Sequence, residues 1–377
     1  MIRSNPEEII RKSIVRFVDN ELIPRAQDLD NSAEFPMALF QKLGKMGVFG
    51  IRYPRNKGGA GGNATLNCII SEELARGLMS MAAITAMQCL MGTNFLFYHG
   101  TDEMHEQYFL PAMRGKKIGC FCMTEPEAGS DLGALTTRAT KVKDGYLING
   151  LKTWVTDGPK ASFYTVLCQT DPTKRFRGLG FFFVPRNFPG VSTSRPFDCV
   201  GTRTTPICEV SFTDVFIPKE YRLIPEGHGI SALMSILAEI RATTAALAIG
   251  LQRAALTDSV RYAKERVAWG RSISGYQLIQ AKIANMITNL EASRLLTYKA
   301  AAMVDRNEEC VKEATIAKYF ATEAACSAAD ECTRIFGAYG YSMEYTAQRY
   351  FRDTRFLLNG GGTHEVLQTN IARWAGL

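Results

Sequence analysis

Two runs in the middle of the chain combine hydroxyls, small residues and an aromatic side chain. They are Phe121-Cys122-Met123-Thr124-Glu125-Pro126-Glu127-Ala128-Gly129-Ser130-Asp131 and Lys152-Thr153-Trp154-Val155-Thr156-Asp157-Gly158. The first reads as a strand that stops at Pro126 and enters a loop with open backbone N–H groups, which a ligand can approach closely. The second follows the hairpin signal Asn149-Gly150 and places Trp154 and Thr156 on one strand face. Bare amides, hydroxyls and an indole suit a flat, polar-edged heterocycle with a phosphate tail. An ordinary β-domain with Gly-Ser turns has the same composition, and the residues alone leave both readings open. Further on, Arg266 in Glu265-Arg266-Val267-Ala268-Trp269-Gly270, followed by Gln277, offers a guanidinium, an indole and an amide. Such a set can hold a pyrophosphate and stack on a ring; alone, it reads first as a surface arginine at a helix end.

Three blocks must position these residues. Residues 1–118 read as helices: Asn5 can cap, Pro6 takes the first helical position, and Ile9, Ile10, Ile14, Val15 and Phe17 recur at helical spacing. Further helices are expected over 35–46, 63–78, 81–97 and 102–113. Residues 119–222 alternate over 135–142, 146–148, 164–168, 180–184 and 208–215, with turn signals between, which argues for a compact antiparallel barrel or sandwich. Residues 223–377 return to long helices over 231–268, 276–305 and 311–335, with a last element at 365–374, the pattern of a bundle.

The bulk properties exclude several classes. The formal charge of +7 over 377 residues reads mainly as solvated surface. No Lys/Arg block carries interleaved aromatics, so nucleic acid is not an expected partner, although a mild positive surplus suits polyanionic ligands. The ten cysteines are scattered, without metal-ligand spacing, and read as reduced core residues; no metal site is expected. No uncharged apolar run reads as a membrane span, and the first residues lack a signal-peptide core. The expected location is cytoplasmic, without membrane insertion.

The Thr124-Glu125-Pro126 and Ala128-Gly129-Ser130-Asp131 runs, with Trp154-Val155-Thr156 at this spacing, resemble the flavin-contacting middle domain of the acyl-CoA dehydrogenase family. The similarity extends over nearly the whole chain. It implies a mostly α fold with a central β-domain: an N-terminal helical domain, a middle antiparallel β-barrel and a C-terminal four-helix bundle. It implies FAD, lined by Phe121, Met123, Thr124, Gly129, Ser130, Trp154, Val155 and Thr156. It also implies an acyl thioester, on coenzyme A or an acyl-carrier protein, with Ser130 and Arg241 near the coenzyme A portion. Glu265 to Gly270 is similar to the family run whose arginine and aromatic reach the flavin of a neighbouring subunit, here Arg266 and Trp269, with Gln277 beyond. Arg334-Ile335-Phe336-Gly337 resembles the start of a second such loop, with Arg334 where glutamine is frequent. A homotetramer follows from the resemblance, as does an electron acceptor such as an electron-transfer flavoprotein or oxygen.

Near the C-terminus, Arg352-Asp353-Thr354-Arg355 is similar to the family's Arg-Asp-x-Lys/Arg segment and fixes the register beyond it. Thr363 and Glu365 then fall in the family's flavin-proximal run, and Gly361 stands where most members carry the glutamate that removes the thioester α-proton. Other members carry the base on a long helix, at the position of Ile240; Glu239 is one residue and about 100° of helix rotation away. The catalytic residue is therefore unassigned, with His364, Glu365, Glu239, Cys89 and Gln88 (through a water) as candidates. The resemblance implies that the Gly361 amide, with a flavin ribityl hydroxyl, would still bind the thioester carbonyl as an oxyanion hole, worth roughly 3 kcal/mol, with Gly362 also facing the thioester. A positioned base contributes roughly 10²–10⁴-fold, so its loss matters. Three readings stay open: a base from elsewhere; a base-free reaction such as sulfinate elimination or oxygenation by reduced flavin; or a non-catalytic thioester-binding flavoprotein. Ala82, Ala83 and Ile84 stand where relatives acting on dicarboxylic or sulfinic acyl groups carry an arginine, which disfavours an anionic acyl tail.

Overall fold

The computed structural model describes residues 6–377, so the expected Asn5 cap lies outside it. Helices fill the first block where the apolar spacing requires them, among them Pro6–Phe17, Met37–Lys45, Ala64–Gly77 and Met79–Ala86. Asn63 starts the third of these by accepting a hydrogen bond from the Leu66 N–H, which satisfies one orphan donor of the first turn. The single helix expected over 81–97 is broken. Met79–Ala86 passes into a π turn at Met87–Met91, and helix resumes at Asn94–His99. The Gly92 N–H reaches five residues back to the Met87 carbonyl, and Thr93 Oγ1 donates to the Gln88 carbonyl, the pairing of a widened turn.

Met79–His99 and Gly229–Glu265 are long and apolar enough to cross a membrane, which corrects the reading that no run qualifies. In the fold, 89% and 72% of their most apolar windows are buried, so these faces pack in the protein core.

The middle block is one sheet of β1 (Gly119–Cys122), β2 (Arg138–Val142), β3 (Gly145–Thr156), β4 (Phe163–Gln169), β5 (Leu179–Pro185), β6 (Val191–Thr193), β7 (Ile207–Pro218) and β8 (Arg222–Ile224). Its order is β6-β7-β3-β2-β4-β5-β8, with β1 beside β4. Most neighbours are antiparallel, but β4 meets both β1 and β2 in parallel. Phe163, Phe181, Phe182 and Phe183 are fully buried in it. Asn149-Gly150 is not a hairpin turn: β3 runs through it with a bulge against β7. Gly150 is needed there because a Cβ would collide with Thr137. The β2–β3 turn falls instead at Lys143-Asp144, with Asp144 left-handed.

The last block packs Gly229–Glu265 (the long helix), Gln277–Asp305 and Val311–Phe336 side by side. Thr346–Leu357, a helix the sequence reading did not anticipate, carries the Arg352-Asp353 pair that joins all three blocks. Arg352 pairs with the buried Asp30 of the first block and donates to the Val200 carbonyl of the second at 3.0 Å. Asp353 Oδ1 accepts from the Thr202 N–H at 2.6 Å. Breaking a buried pair leaves one charge without a partner and costs about 3–5 kcal/mol. Arg352→Ala is therefore expected to lose roughly that much stability in urea unfolding; a change below about 1 kcal/mol would show that this junction does not hold the blocks together.

Candidate active site

The first wall of the site is pinned by a buried ion pair. Lys152 on β3 donates to Glu125 Oε1 at 2.8 Å and to the Met123 carbonyl at 2.9 Å, and both side chains are buried. Glu125 also accepts from the Thr136 N–H and hydroxyl and from the Thr137 N–H. Burial alone would raise its pKa. The Lys152 charge and these hydrogen bonds outweigh burial and hold the carboxyl down at about 2. The Thr153 N–H donates to the Thr124 carbonyl at 2.9 Å, which brings Met123 and Thr124 alongside Trp154. Lys152 lay within the run singled out from sequence, but only the fold shows its positioning role.

Trp154 sits at a second β3 bulge, between Lys152 and Val155, with φ of 57°. A left-handed bulky residue is an outlier, and such outliers cluster at ligand sites. The bulge breaks the expected alternation: Trp154 is 59% exposed, leaning on Phe197, whereas Val155 and Thr156 are buried. Trp154 and Thr156 therefore do not share one exposed face. Phe121 is buried and stacks on Phe181 behind the wall. Gly129 and Ser130 are exposed, and neither amide has a hydrogen-bond partner among the described residues. An exposed indole beside open amides and the Thr124 hydroxyl fits a flat, polar-edged cofactor such as a flavin.

A second group lies on the helical block. Arg266 ends the long helix with its guanidinium 5.8 Å from the centre of the Tyr339 ring. Trp269, 94% exposed, projects from the tight hairpin that follows, and Gln277 begins the next helix. Arg334 pairs with Asp330, and Gly337 ends its helix with positive φ. No hydrogen bond or ring contact among the described residues joins this group to the Thr124–Trp154 wall within one chain.

The third group is the turn Gly360–Thr363. Gly361 and Gly362 have φ of 74° and 109°. Arg241, on the long helix and 4% exposed, donates from Nε to the Gly361 carbonyl at 3.2 Å and from Nη1 to Thr315 at 2.7 Å. Lys318, fully buried, donates to the Gly362 carbonyl at 2.9 Å. Neither cation has a carboxylate at ion-pairing distance among the described residues. Burial pushes Arg241 down to about 10; burial, then the Arg241 charge, pushes Lys318 down to about 8. Arg241 Nε is thus committed to the turn and Nη1 to Thr315. Sequence reasoning missed Lys318, although a lysine on the apolar stripe of Ala314, Ala321 and Ala325 was a usable signal.

Every candidate replacement base except the exposed Glu365 is otherwise engaged. Glu239 accepts from Arg52 Nε at 2.7 Å, and the same guanidinium is held by Asn94. His364 uses both ring nitrogens, one with Thr322 at 2.7 Å and the other with Glu323 at 2.6 Å. Gln88 has its amide nitrogen on two carbonyls and its oxygen on the Gly119 N–H. Burial keeps Cys89 protonated. Thr363 caps the final helix, and Glu365 is exposed in its first turn. These contacts give His364 and Glu239 other partners. A cleft of about 890 Å³ lies elsewhere, along His228, Ser235 and Glu239 on another face of the long helix, and reaches neither Arg241 nor Gly361. At the Gly361 turn, open amides and buried cations converge.

Three domains in this order, with a cofactor wall on the sheet and a glycine turn held by buried cations, define a flavin-dependent oxidoreductase of acyl thioesters. Family models for the acyl-CoA dehydrogenase N-terminal, middle and C-terminal domains match residues 4–116, 120–215 and 227–376. The chain belongs to the acyl-CoA dehydrogenase family, with FAD as its cofactor. It is 45% identical over 371 residues to a benzylmalonyl-CoA dehydrogenase of Aromatoleum aromaticum, covering 98% of each chain. It is 36% identical over 375 residues to the caffeyl-CoA reductase-Etf complex subunit CarC of Acetobacterium woodii, covering 99% of this chain and 98% of that one. The solved butyryl-CoA dehydrogenase of Megasphaera elsdenii superposes with a TM-score of 0.95 at 32% identity, covering 98% of each.

Two expected outcomes follow from this geometry. Glu125→Gln leaves the Lys152 charge buried without its partner and should lower stability by about 3–5 kcal/mol. Because the folded carboxyl titrates near 2, its contribution is complete above the unfolded value of 4.5 and is lost as pH falls from there towards 2. Urea unfolding across that window should show this slope in the natural protein and not in the variant. Gly361→Glu has room for its Cβ, 3.6 Å from Ile240 and Thr244. The left-handed backbone nevertheless costs roughly 1–2 kcal/mol, which a lowered urea midpoint should report.

Proposed function

We propose that the protein oxidises the Cα–Cβ bond of a coenzyme A thioester with an aromatic ring on its third carbon, and delivers the electrons to an electron-transfer flavoprotein. The observation that carries this reading is the near-full-length match to two relatives whose names specify such thioesters, benzylmalonyl-CoA and caffeyl-CoA. In the first, the α-carbon also bears a carboxylate. The second is named as part of a complex with Etf, which supports that acceptor over oxygen. The buried apolar surface at Ala82, Ala83 and Ile84 supports an uncharged far end of the acyl group.

When bound, FAD supplies the acceptor for the hydride that leaves Cβ. The chain does the rest by position. Trp154 and Thr124 set the plane of the ring, and the Gly361 and Gly362 amides polarise the thioester carbonyl. Arg241 and Lys318 keep that turn in place by holding its carbonyls on the opposite side. We also propose a homotetramer in which Arg266, Trp269, Gln277 and the Arg334 loop close a neighbour's flavin site. Trp269, Tyr341 and Leu278, at 94%, 93% and 80% exposure, support a covered face there. Ten unpaired cysteines support a reducing, cytoplasmic setting.

The aryl preference is tested by titrating oxidised, FAD-loaded protein with cinnamoyl-CoA and with crotonyl-CoA and following the perturbed flavin absorbance. Burying a phenyl ring is worth about 1.5–3 kcal/mol, so cinnamoyl-CoA should bind roughly 10- to 100-fold more tightly. Equal affinities would remove the aryl reading.

A further inference from the structure

We propose that the substrate carries its own carboxylate on the thioester α-carbon, that Arg241 receives it beside Gly361, and that loss of carbon dioxide, instead of a protein base, generates the α-carbanion. The inference rests on the placement of the thioester at the Gly361 turn. Three observations on that turn carry it.

The groups that could take an α-proton are absent, engaged or turned to solvent. Gly361 has no side chain, Ile240 is apolar and buried, and Glu239, His364, Gln88 and Cys89 are held in other contacts; Glu365 is exposed, and hydrogen bonds from its own backbone N–H and from Thr363 lower its pKa and make it a weaker base. A chain that keeps the fold and the oxyanion amides but lacks the base suits a substrate whose α-carbon loses a group other than a proton.

Space remains where the base would stand. A Cβ on Gly361 would meet Ile240 and Thr244 only at 3.6 Å and Arg241 Cγ at 3.9 Å. That room lies beside the amides that orient the thioester, so a substituent on its α-carbon can occupy it.

The room is also polarised for an anion. Two nitrogens of Arg241 are engaged, but Nη2 has no hydrogen-bond partner among the described residues. It lies 3.7 Å from the point where a Cβ on Gly362 would be. Arg241 is 4% exposed and Lys318 fully buried, and neither has a carboxylate partner among the described residues. Two buried cations without an anion are expensive, and a substrate carboxylate would supply one.

The step balances without a proton acceptor. The bond from Cα to the carboxylate breaks, carbon dioxide leaves, and the electron pair stays on the thioester as its enolate. The β C–H bond then breaks with its hydride going to the oxidised flavin, and the enolate pair closes the Cα=Cβ double bond.

The test mixes FAD-loaded protein, without oxygen, with benzylmalonyl-CoA and with 3-phenylpropanoyl-CoA. Benzylmalonyl-CoA should bleach the flavin and release one carbon dioxide per flavin, while 3-phenylpropanoyl-CoA should react at least roughly 10²-fold more slowly. Arg241→Gln should weaken benzylmalonyl-CoA binding roughly 10- to 100-fold more than it weakens 3-phenylpropanoyl-CoA binding, the excess being the value of a charge-assisted hydrogen bond; loss of support for the turn weakens both ligands alike. Ile240→Glu, on regular helix, serves if Arg241→Gln does not fold: its carboxylate should repel benzylmalonyl-CoA and allow 3-phenylpropanoyl-CoA to bleach the flavin. Bleaching without carbon dioxide, equal rates for the two thioesters, or no reaction with either overturns the inference and leaves the aryl preference standing. Equal weakening of both ligands by Arg241→Gln reduces that residue to a prop for the turn and overturns its role as carboxylate receptor.

Discussion

A buried guanidinium that faces backbone carbonyls instead of a carboxylate governs this site. Arg241 joins the long helix to the Gly361 turn and to Thr315 of the neighbouring helix, and Lys318 joins that neighbour to the same turn. Carbonyl groups compensate a buried cation only in part. The turn is therefore fixed by two positive charges on its carbonyls, and the Gly361 and Gly362 amides have no partner among the described residues. On the proposed reading, the oxyanion function is separable from proton abstraction in this chain.

The rest of the molecule brings the other reacting partner to that turn. Glu125 and Lys152 lock the strand extension that carries Met123 and Thr124 against β3, and the bulge there turns Trp154 outward. Arg352 and Asp353 then register the sheet against both helical blocks. The cofactor wall and the thioester turn thus sit on different domains, and their separation is set by charge pairs buried between domains. Buried pairs of this kind are weak sources of net stability but costly to break, which suits a junction whose task is alignment.

Much of this was legible in the sequence. Helical and alternating periodicities separate the three blocks, and the Thr124–Asp131 and Trp154–Thr156 runs point to the cofactor wall. What escaped is instructive in physical terms. Asn149-Gly150 has the composition of a hairpin, yet its glycine serves the close approach of Thr137. Periodicity cannot see a bulge, so strict alternation assigns Trp154 and Thr156 to one face. The helix Met79–Ala86 gives way to a π turn that no propensity marks. His364 and Glu239 have suitable chemistry, but only three-dimensional contacts reveal that Glu323, Thr322 and Arg52 already hold them. Lys318 hides among alanines because its partners are carbonyls 40 and 44 residues away in sequence.

The central claim is that no group of this protein removes a proton from the α-carbon of a bound thioester. The most direct measurement is nuclear magnetic resonance of 3-phenylpropanoyl-CoA incubated in heavy water with oxidised, FAD-loaded protein. Exchange of its α-protons requires a base and no redox step. The account predicts exchange no faster than in buffer alone; rapid, enzyme-dependent deuterium incorporation at the α-carbon would contradict it.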